Sequence, residues 1–328
     1  MYLLTRTLMI LTFFLVLLPL QSEIHANDDG IAKGIALYEA GNLNEAKEFF
    51  EAFVKDHPEN AEGYYYLGRI LFDENKFKDA ERQLEKAVKL KSNHSYYHLW
   101  LGRASGRRAQ SASIFKKPGL AKKTKKHFEI AVQLDDNNVE AKEDLIAYYT
   151  QAPGIMGGST EKAKTLADRL LEQDKLRGYR SLWQIYEKEK KYEQAESYYK
   201  EAVADFPENI NLRFGLGYFY QRHEKYAKAF EVFEQMVQDS SNNLSALYQI
   251  GRTGALSGKN LVRAEECMKM YLQQEPGKNM PSLAAAHWRL GMIYEHKKQK
   301  ELARQEYQTA LKLDPEFKAA KKALKKLK

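Results

Sequence analysis

The chain has 328 residues, with 52 lysines and arginines against 44 aspartates and glutamates and a formal charge of +8. Charge is abundant and proline scarce, with no long low-complexity stretch, which excludes collagen-like and disordered classes. A single cysteine, Cys267, excludes an internal disulfide, so stability must come from packing.

The first element is set apart from the rest. "MYLLTRTLMILTFFLVLLPL" places Arg6 before an apolar run from Leu8 to Leu18, which Pro19 ends; "QSEIHA" follows. That is the order of a secretory signal peptide. The apolar core is shorter than the ~20 residues a spanning helix needs. Cleavage is expected near Ala26, leaving a periplasmic or secreted chain that starts near Asn27. No cysteine follows the run, so a lipid anchor is not expected.

From Asn27 onward the sequence repeats. "HPEN" (His57–Asn60) and "FPEN" (Phe206–Asn209) carry prolines twelve residues after Ala46 and Ala195. The segment from Ala61 reads Tyr64, Leu67, Gly68, Leu71, then Ala80, Leu84, Ala87. From Leu176 it reads Tyr179, Leu182, Trp183, Tyr186, Ala195, Tyr199, Ala202, Pro207. From Ala284 it reads His287, Leu290, Gly291, Tyr294, Ala303, Tyr307, Ala310, Pro315. Each unit thus encodes two amphipathic helices with small residues where they cross. Neither helix pair can bury its stripe alone, so neighbours must stack.

This pattern resembles the tetratricopeptide repeat (TPR) family. The resemblance implies an all-α, right-handed solenoid of about eight helix-turn-helix repeats with a C-terminal capping helix. The units fall at 27–60, 61–94, 95–138, 139–175, 176–209, 210–243, 244–278 and 284–317. Insertions lie near 104–123 and 151–159, and a basic helix occupies 318–328.

Four stretches invite chemistry. His94 and His98 stand one helical turn apart, but no third metal ligand is evident, and His98 holds a core aromatic position. The stretch 101–128 carries nine lysines and arginines and no acid. The loop "QAPGIMGGST" lacks both glycine-rich phosphate motifs and has no strand before it. Its "STEK" (Ser159–Lys162) has the spacing of acyl-serine hydrolases without their other motifs, and reads as a helix cap. The two insertions enter corresponding turns of consecutive repeats, so they should be neighbours. They form either a cationic ledge built on Arg107, Arg108, Lys116 and Lys117, or a brace in which Ile114, Phe115 and Ile155 are buried together. Cys267 reads as an inert buried thiol. The tail "EFKAAKKALKKLK" reads as a solubilising cap, with a cationic helix on anionic lipid as its alternative.

In the TPR family, positions 2, 5, 9, 12 and 13 of the first helix line a concave groove. Carried onto this chain, the ninth position gives Arg69, Arg103, Tyr218 and Arg252. The fifth gives Tyr65, Arg180, Phe214, Tyr248 and Trp288, and the thirteenth gives Arg107 and Arg222. Arginine and aromatic side chains dominate binding hot spots. The resemblance therefore implies a scaffold that binds a protein or peptide of acidic character, with peripheral contact to an anionic membrane as an addition. A transporter-associated small-molecule binder is the alternative, and an enzyme built around Ser159 is a third reading. No catalytic set, metal, cofactor or nucleic-acid partner is expected, and oligomeric state is not encoded legibly.

Overall fold

The computed structural model describes residues 30–240 and 243–327; the segment read as a leader, 1–26, lies outside them. Among the described residues there are seventeen α-helices, one 3-10 turn and no strand. None of these helices is long and apolar enough to cross a membrane. The chain divides into two compact units at Lys188 and Glu189.

The first unit holds α1 (30–39) and α2 (Leu43–Asp56), α3 (Ala61–Asp73) and α4 (Phe77–Leu90), and α5 (Ser95–Ser111) and α6 (Lys117–Leu134). It continues with α7 (Val139–Gln151), the 3-10 turn Gly154–Met156, α8 (Thr160–Gln173) and α9 (Lys175–Lys188). The second unit holds α10 (Tyr192–Asp205), α11 (Ile210–Arg222), α12 (Tyr226–Asp239), α13 (Leu244–Ser257) and α14 (Leu261–Leu272). It ends with α15 (Leu283–His296), α16 (Lys300–Leu313) and α17 (Lys318–Lys326).

Within each unit, helices touch their sequence neighbours and the helix two places on, as α3 touches α5, α5 touches α7 and α13 touches α15. This is a stack of repeats rather than a single globular core. Side-chain caps start several helices: Asn60 accepts from the Gly63 amide at 2.9 Å, and Asn138 from Ala141 at 3.0 Å. The close approach inside a pair explains Gly68, Gly102, Gly217, Gly251 and Gly291 in α3, α5, α11, α13 and α15, a position that Ile146 and Trp183 hold in α7 and α9. A Cβ on Gly217 would meet the Phe233 ring at 2.4 Å, and one on Gly291 would meet the Tyr307 ring at 2.4 Å. Phe233 and Tyr307 are fully buried in return.

The third pair departs from this plan. Helices α5 and α6 run 17 and 18 residues, against 13 and 14 in α3 and α4. The insertion thus lengthens both helices and carries their connecting turn outward. Glu81 of α4, only 2% exposed, ties this hairpin down. It accepts from Ser105 at 2.7 Å and pairs with Lys123 at 2.8 Å and with Arg108. At the other end of the chain, Ala323, Leu324 and Leu327 of the α17 segment join the apolar cluster of the last pair, and Ala320 is fully buried. Lys318, Lys321, Lys322, Lys325 and Lys326 keep their charged ends toward water, so the apolar stripe covers the end of the stack.

Candidate partner-binding face

The sixth position of successive first helices organises one face in each unit. In the first unit these residues are Tyr66, Trp100 and Asp144, and in the second they include Gln249 and Arg289. On a helix, positions 2, 6, 9 and 13 share one side. Sequence reasoning passed over the sixth position, and with it these residues.

In the first unit, Arg69 sits in an aromatic cage. Its guanidinium carbon lies 4.6 Å from the Trp100 ring centroid, 4.7 Å from Tyr38 and 5.5 Å from Tyr65. Its Nη1 donates to the Tyr65 hydroxyl at 3.3 Å, and its buried Nε has no hydrogen-bond partner. Arg69 makes no ion pair among the described residues. Tyr65 is itself 7% exposed, with its hydroxyl pushed up to about 12 by burial. It is therefore a wall that positions Arg69 and offers little surface of its own.

Arg103 is compensated. Its Nε donates to Asp144 at 2.5 Å, Nη2 lies 2.9 Å from Glu140, and the guanidinium stands 4.8 Å from the Trp100 ring. Burial raises the Asp144 pKa, and Arg103 opposes the rise. Beside this pair the face deepens into a cavity of about 530 Å³, walled by Trp100, Gly106, Phe128, Ala147 and Tyr148. Arg107 reaches its rim and lies 4.8 Å from the Phe77 ring. Arg180 borders a separate hollow of about 570 Å³ with Glu143 and Asp144. Arg108 turns inward to Glu81, away from this face.

In the second unit, Arg252 donates from Nη1 to Gln221 at 2.5 Å and to Gln249 at 3.3 Å. Gln249 in turn donates to the Tyr218 hydroxyl at 3.5 Å. Arg289 lies with its guanidinium carbon 4.0 Å from the Trp288 ring, and its Nε is buried without a hydrogen-bond partner. Its pKa is lowered, chiefly by burial and further by the charge of Arg252, while Tyr248 raises it. Neither arginine makes an ion pair among the described residues. Tyr248, 5% exposed against Tyr271, supports them from below, and Trp288 packs edge-on to Phe317. Arg222 closes α11 and is engaged in contacts of its own.

The insertions behave differently from the apolar brace. Ile114, Phe115 and Ile155 are 76%, 93% and 95% exposed, so they form no buried contact. The 3-10 turn instead meets α6, where a Cβ on Gly157 (φ +87°) would strike the Lys125 side chain at 2.9 Å. The glycine loop spends its amides on itself. Met156 and Gly158 donate to the Pro153 carbonyl at 2.8 and 3.2 Å, and Ser159 donates to Tyr149 at 2.9 Å. A Cβ on Gly158 would lie 1.8 Å from the Ala152 oxygen, so only glycine fits. Ser159 caps α8 by accepting from the Lys162 amide at 3.3 Å. Amides committed in this way cannot cradle a phosphate.

His98 is 4% exposed, in keeping with its core position in the repeat. His94 stacks on Tyr97 at 4.0 Å. His98 pairs with His127, Nδ1 to Nδ1 at 2.9 Å, and its Nε2 lies 2.9 Å from the Ser92 carbonyl. A carbonyl only accepts, so His98 Nε2 donates, and His98 Nδ1 must accept from His127 Nδ1–H. Among the described residues no three metal-ligating side chains converge. Cys267 is fully buried, and burial pushes its thiol up to about 11.

Residues 31–94, 68–108 and 184–243 match one tetratricopeptide repeat family model and 284–317 match a second, together just over half of the chain. No curated protein matches the chain. Among solved structures, a tetratricopeptide repeat protein of Parabacteroides merdae is 16% identical, with a TM-score of 0.51 over 92% of this chain and 99% of that one. A thermophilic TPR protein of Thermus thermophilus is 17% identical, with a TM-score of 0.47 over 59% and 98%. YrrB, a TPR protein with an unusual peptide-binding site, is 22% identical, with a TM-score of 0.43 over 60% and 97%. At 16% identity the likeness to the Parabacteroides merdae protein speaks to fold alone.

Proposed function

Starting from a chain that belongs to the tetratricopeptide repeat family, we propose that it is an exported scaffold that binds an acidic segment of a partner protein and carries no catalysis of its own. The family's fold suggests protein–protein interaction; the acidic partner is the finer reading. It rests on one observation: Arg252, held by Gln221 at 2.5 Å, and Arg289, 4.0 Å from the Trp288 ring, make no ion pair among the described residues. A partner carboxylate supplies the missing counter-charge. Arg69, caged by four aromatic rings and likewise without an ion pair, offers a similar seat in the first unit. Export rests on the order of Arg6, the apolar run and Ala26, and requires a secreted protein whose N-terminal mass begins near Asn27.

An array of acidic, neutral and basic peptides tests the binding reading. Acidic peptides should be retained, and Arg252→Ala with Arg289→Ala should weaken them by about 1–3 kcal/mol. Equal retention of neutral and acidic peptides sinks it. The cavity of about 530 Å³ favours a second reading, a small-molecule binding protein, because its size and apolar walls suit a compact ligand. Ala147→Trp fills that cavity. It should abolish small-molecule binding and leave the arginine seat of the second unit untouched.

A further inference from the structure

We propose that the turn between α5 and α6 is a docking finger for anionic lipid bilayers, with Ile114 and Phe115 entering the interface and a cationic hollow behind them seating lipid headgroups. The inference is independent of the peptide-binding face.

The turn is tight and projecting. Ser113, Ile114, Phe115 and Lys116 form a turn closed by the Lys116 amide donating to the Ser113 carbonyl at 2.9 Å, with Lys117 adding a second bond at 3.1 Å. Ile114 and Phe115 are its two central residues, 76% and 93% exposed. Isolated apolar residues on a surface need no explanation. Two adjacent ones held at the apex of a lengthened hairpin present a compact apolar tip.

Charge lies directly behind that tip. A hollow of about 520 Å³ is lined by Lys76, Lys78, Arg108, Ser111, Ser113 and Lys116; Lys76 pairs with Glu74 at 2.9 Å and Arg108 with Glu81, which leaves Lys78 and Lys116 as its uncompensated cations. Its one acid, Asp79, is already engaged by Arg82 at 2.9 Å. Lys78 and Lys116 make no ion pair among the described residues. A second hollow of about 580 Å³ shares Lys78, Arg108 and Lys116 and has Phe115 on its wall. Its acids are also taken, Glu81 by Arg108 and Lys123, and Glu85 by Lys123.

The order of layers selects the occupant. Moving inward from the apex, the finger is apolar first and cationic second. A bilayer with anionic lipids matches that order in reverse: phosphates lie outside and acyl chains lie deeper. An acidic protein would match the cations but leave the tip in water. Weak insertion and weak electrostatics are each marginal alone, and stable attachment takes both signals.

The test reads the tip locally. Full-length chain with Phe115→Cys is labelled with the environment-sensitive fluorophore NBD; Cys267 is fully buried and is spared. Vesicles of phosphatidylcholine with about one-third phosphatidylglycerol should raise the fluorescence, with apparent affinity at least about tenfold above phosphatidylcholine alone. Lys78→Glu with Lys116→Glu in the labelled chain should abolish the rise without changing helicity. Ile114→Ser, which leaves every cation in place, should weaken it. A label at Val262→Cys, 67% exposed in the second unit, should stay unresponsive. No rise at position 115, an equal rise with phosphatidylcholine alone, or a rise that survives the lysine reversals overturns the proposal. So does loss of the rise on changing Lys322, Lys325 and Lys326 to Gln, which assigns attachment to α17. A rise produced by soluble polyglutamate in place of vesicles assigns the tip to an acidic protein and also overturns it.

Discussion

Replacing Arg289 by Met should make the protein more stable while destroying its anion seat. The Arg289 Nε is buried with no hydrogen-bond partner, its Nη1 reaches the weak acceptor Met292 Sδ at 3.4 Å, and Tyr248 is the polar neighbour that favours its charge. A buried donor left unmade costs about 1–3 kcal/mol. The guanidinium recovers about 0.5–1 kcal/mol from the Trp288 ring, 4.0 Å away. The charge of Arg252 acts against it as well. Met keeps most of the volume and the flexibility, so the packing loss is small. The balance is a gain of about 1 kcal/mol, or about 2–4 °C for an array of this length. Thermal and urea melts of parent and variant measure it, compared by midpoint because repeat arrays need not unfold in one step. A second arm adds succinate. An anion bound only by the folded parent should raise the parent's melting temperature and leave the variant's unchanged. A loss of more than 1 kcal/mol on substitution, or an equal response of both proteins to succinate, would falsify the idea that Arg289 is held in wait for a carboxylate.

Other perturbations probe the rest of the stack. Burial and the neighbouring charges of His98, Lys123 and Lys126 depress His127 to about 4 from its ordinary 6.5. A depressed histidine stabilises the fold above about pH 6.5 and loses that contribution as pH falls toward 4. Urea midpoints should therefore drop between pH 7 and pH 5, and His127→Phe should flatten that drop. Carboxylates such as Glu196, lowered to about 2 by its lysines and Tyr220 against the pull of burial, act only at more acid pH. Glu224 holds a left-handed conformation, φ +55°, in the turn between α11 and α12. Glu224→Gly should raise stability by about 0.5–1 kcal/mol, the side-chain strain less the glycine entropy. Glu81→Ala strands Arg108 and the Ser105 hydroxyl, while Lys123 keeps Glu85, and should cost about 2 kcal/mol and expose the α5–α6 hairpin to limited proteolysis.

The repeat was legible because every pair must satisfy the same neighbours. Leu182, Ala195 and Tyr199 recur in register because a stack imposes one contact pattern on each member. The insertion broke that legibility in a specific way. His127 meets His98 across 29 residues, and the extra turns of α5 and α6 set that separation. No spacing rule announces it. The groove was half legible. The ninth position was read as facing outward, and Arg69, Arg103 and Arg252 stand there. The fifth position was read the same way, but Tyr65 and Tyr248 are buried beneath the arginines they support. The sixth position carried a visible signal in Tyr66, Trp100, Asp144, Gln249 and Arg289, which share a helix side with the ninth. The fate of Ile114 and Phe115 was not legible, since an apolar pair in a loop is equally consistent with a buried brace and a bare tip.

Sorting the cations by whether the fold compensates them separates structure from function more sharply than position does. Arg103 has Asp144 and Glu140, Arg263 has Glu234, Arg177 has Glu143, and Arg213 has Asp239. Each links neighbouring helices, and its charge is already answered. Arg69, Arg252 and Arg289 are as firmly placed, yet aromatic rings and amides hold them and no acid among the described residues does. Lys78 and Lys116, both exposed, likewise make no ion pair among the described residues and lie beneath a bare apolar tip. In a chain with 44 acids, fixed cations without a partner are not a consequence of composition. Fixing a charge without answering it costs stability, and evolution tends to remove such costs unless something binds there. On the reading proposed above, the uncompensated arginines are the seat of a partner's carboxylate, and the uncompensated lysines beneath the tip are the seat of a lipid phosphate.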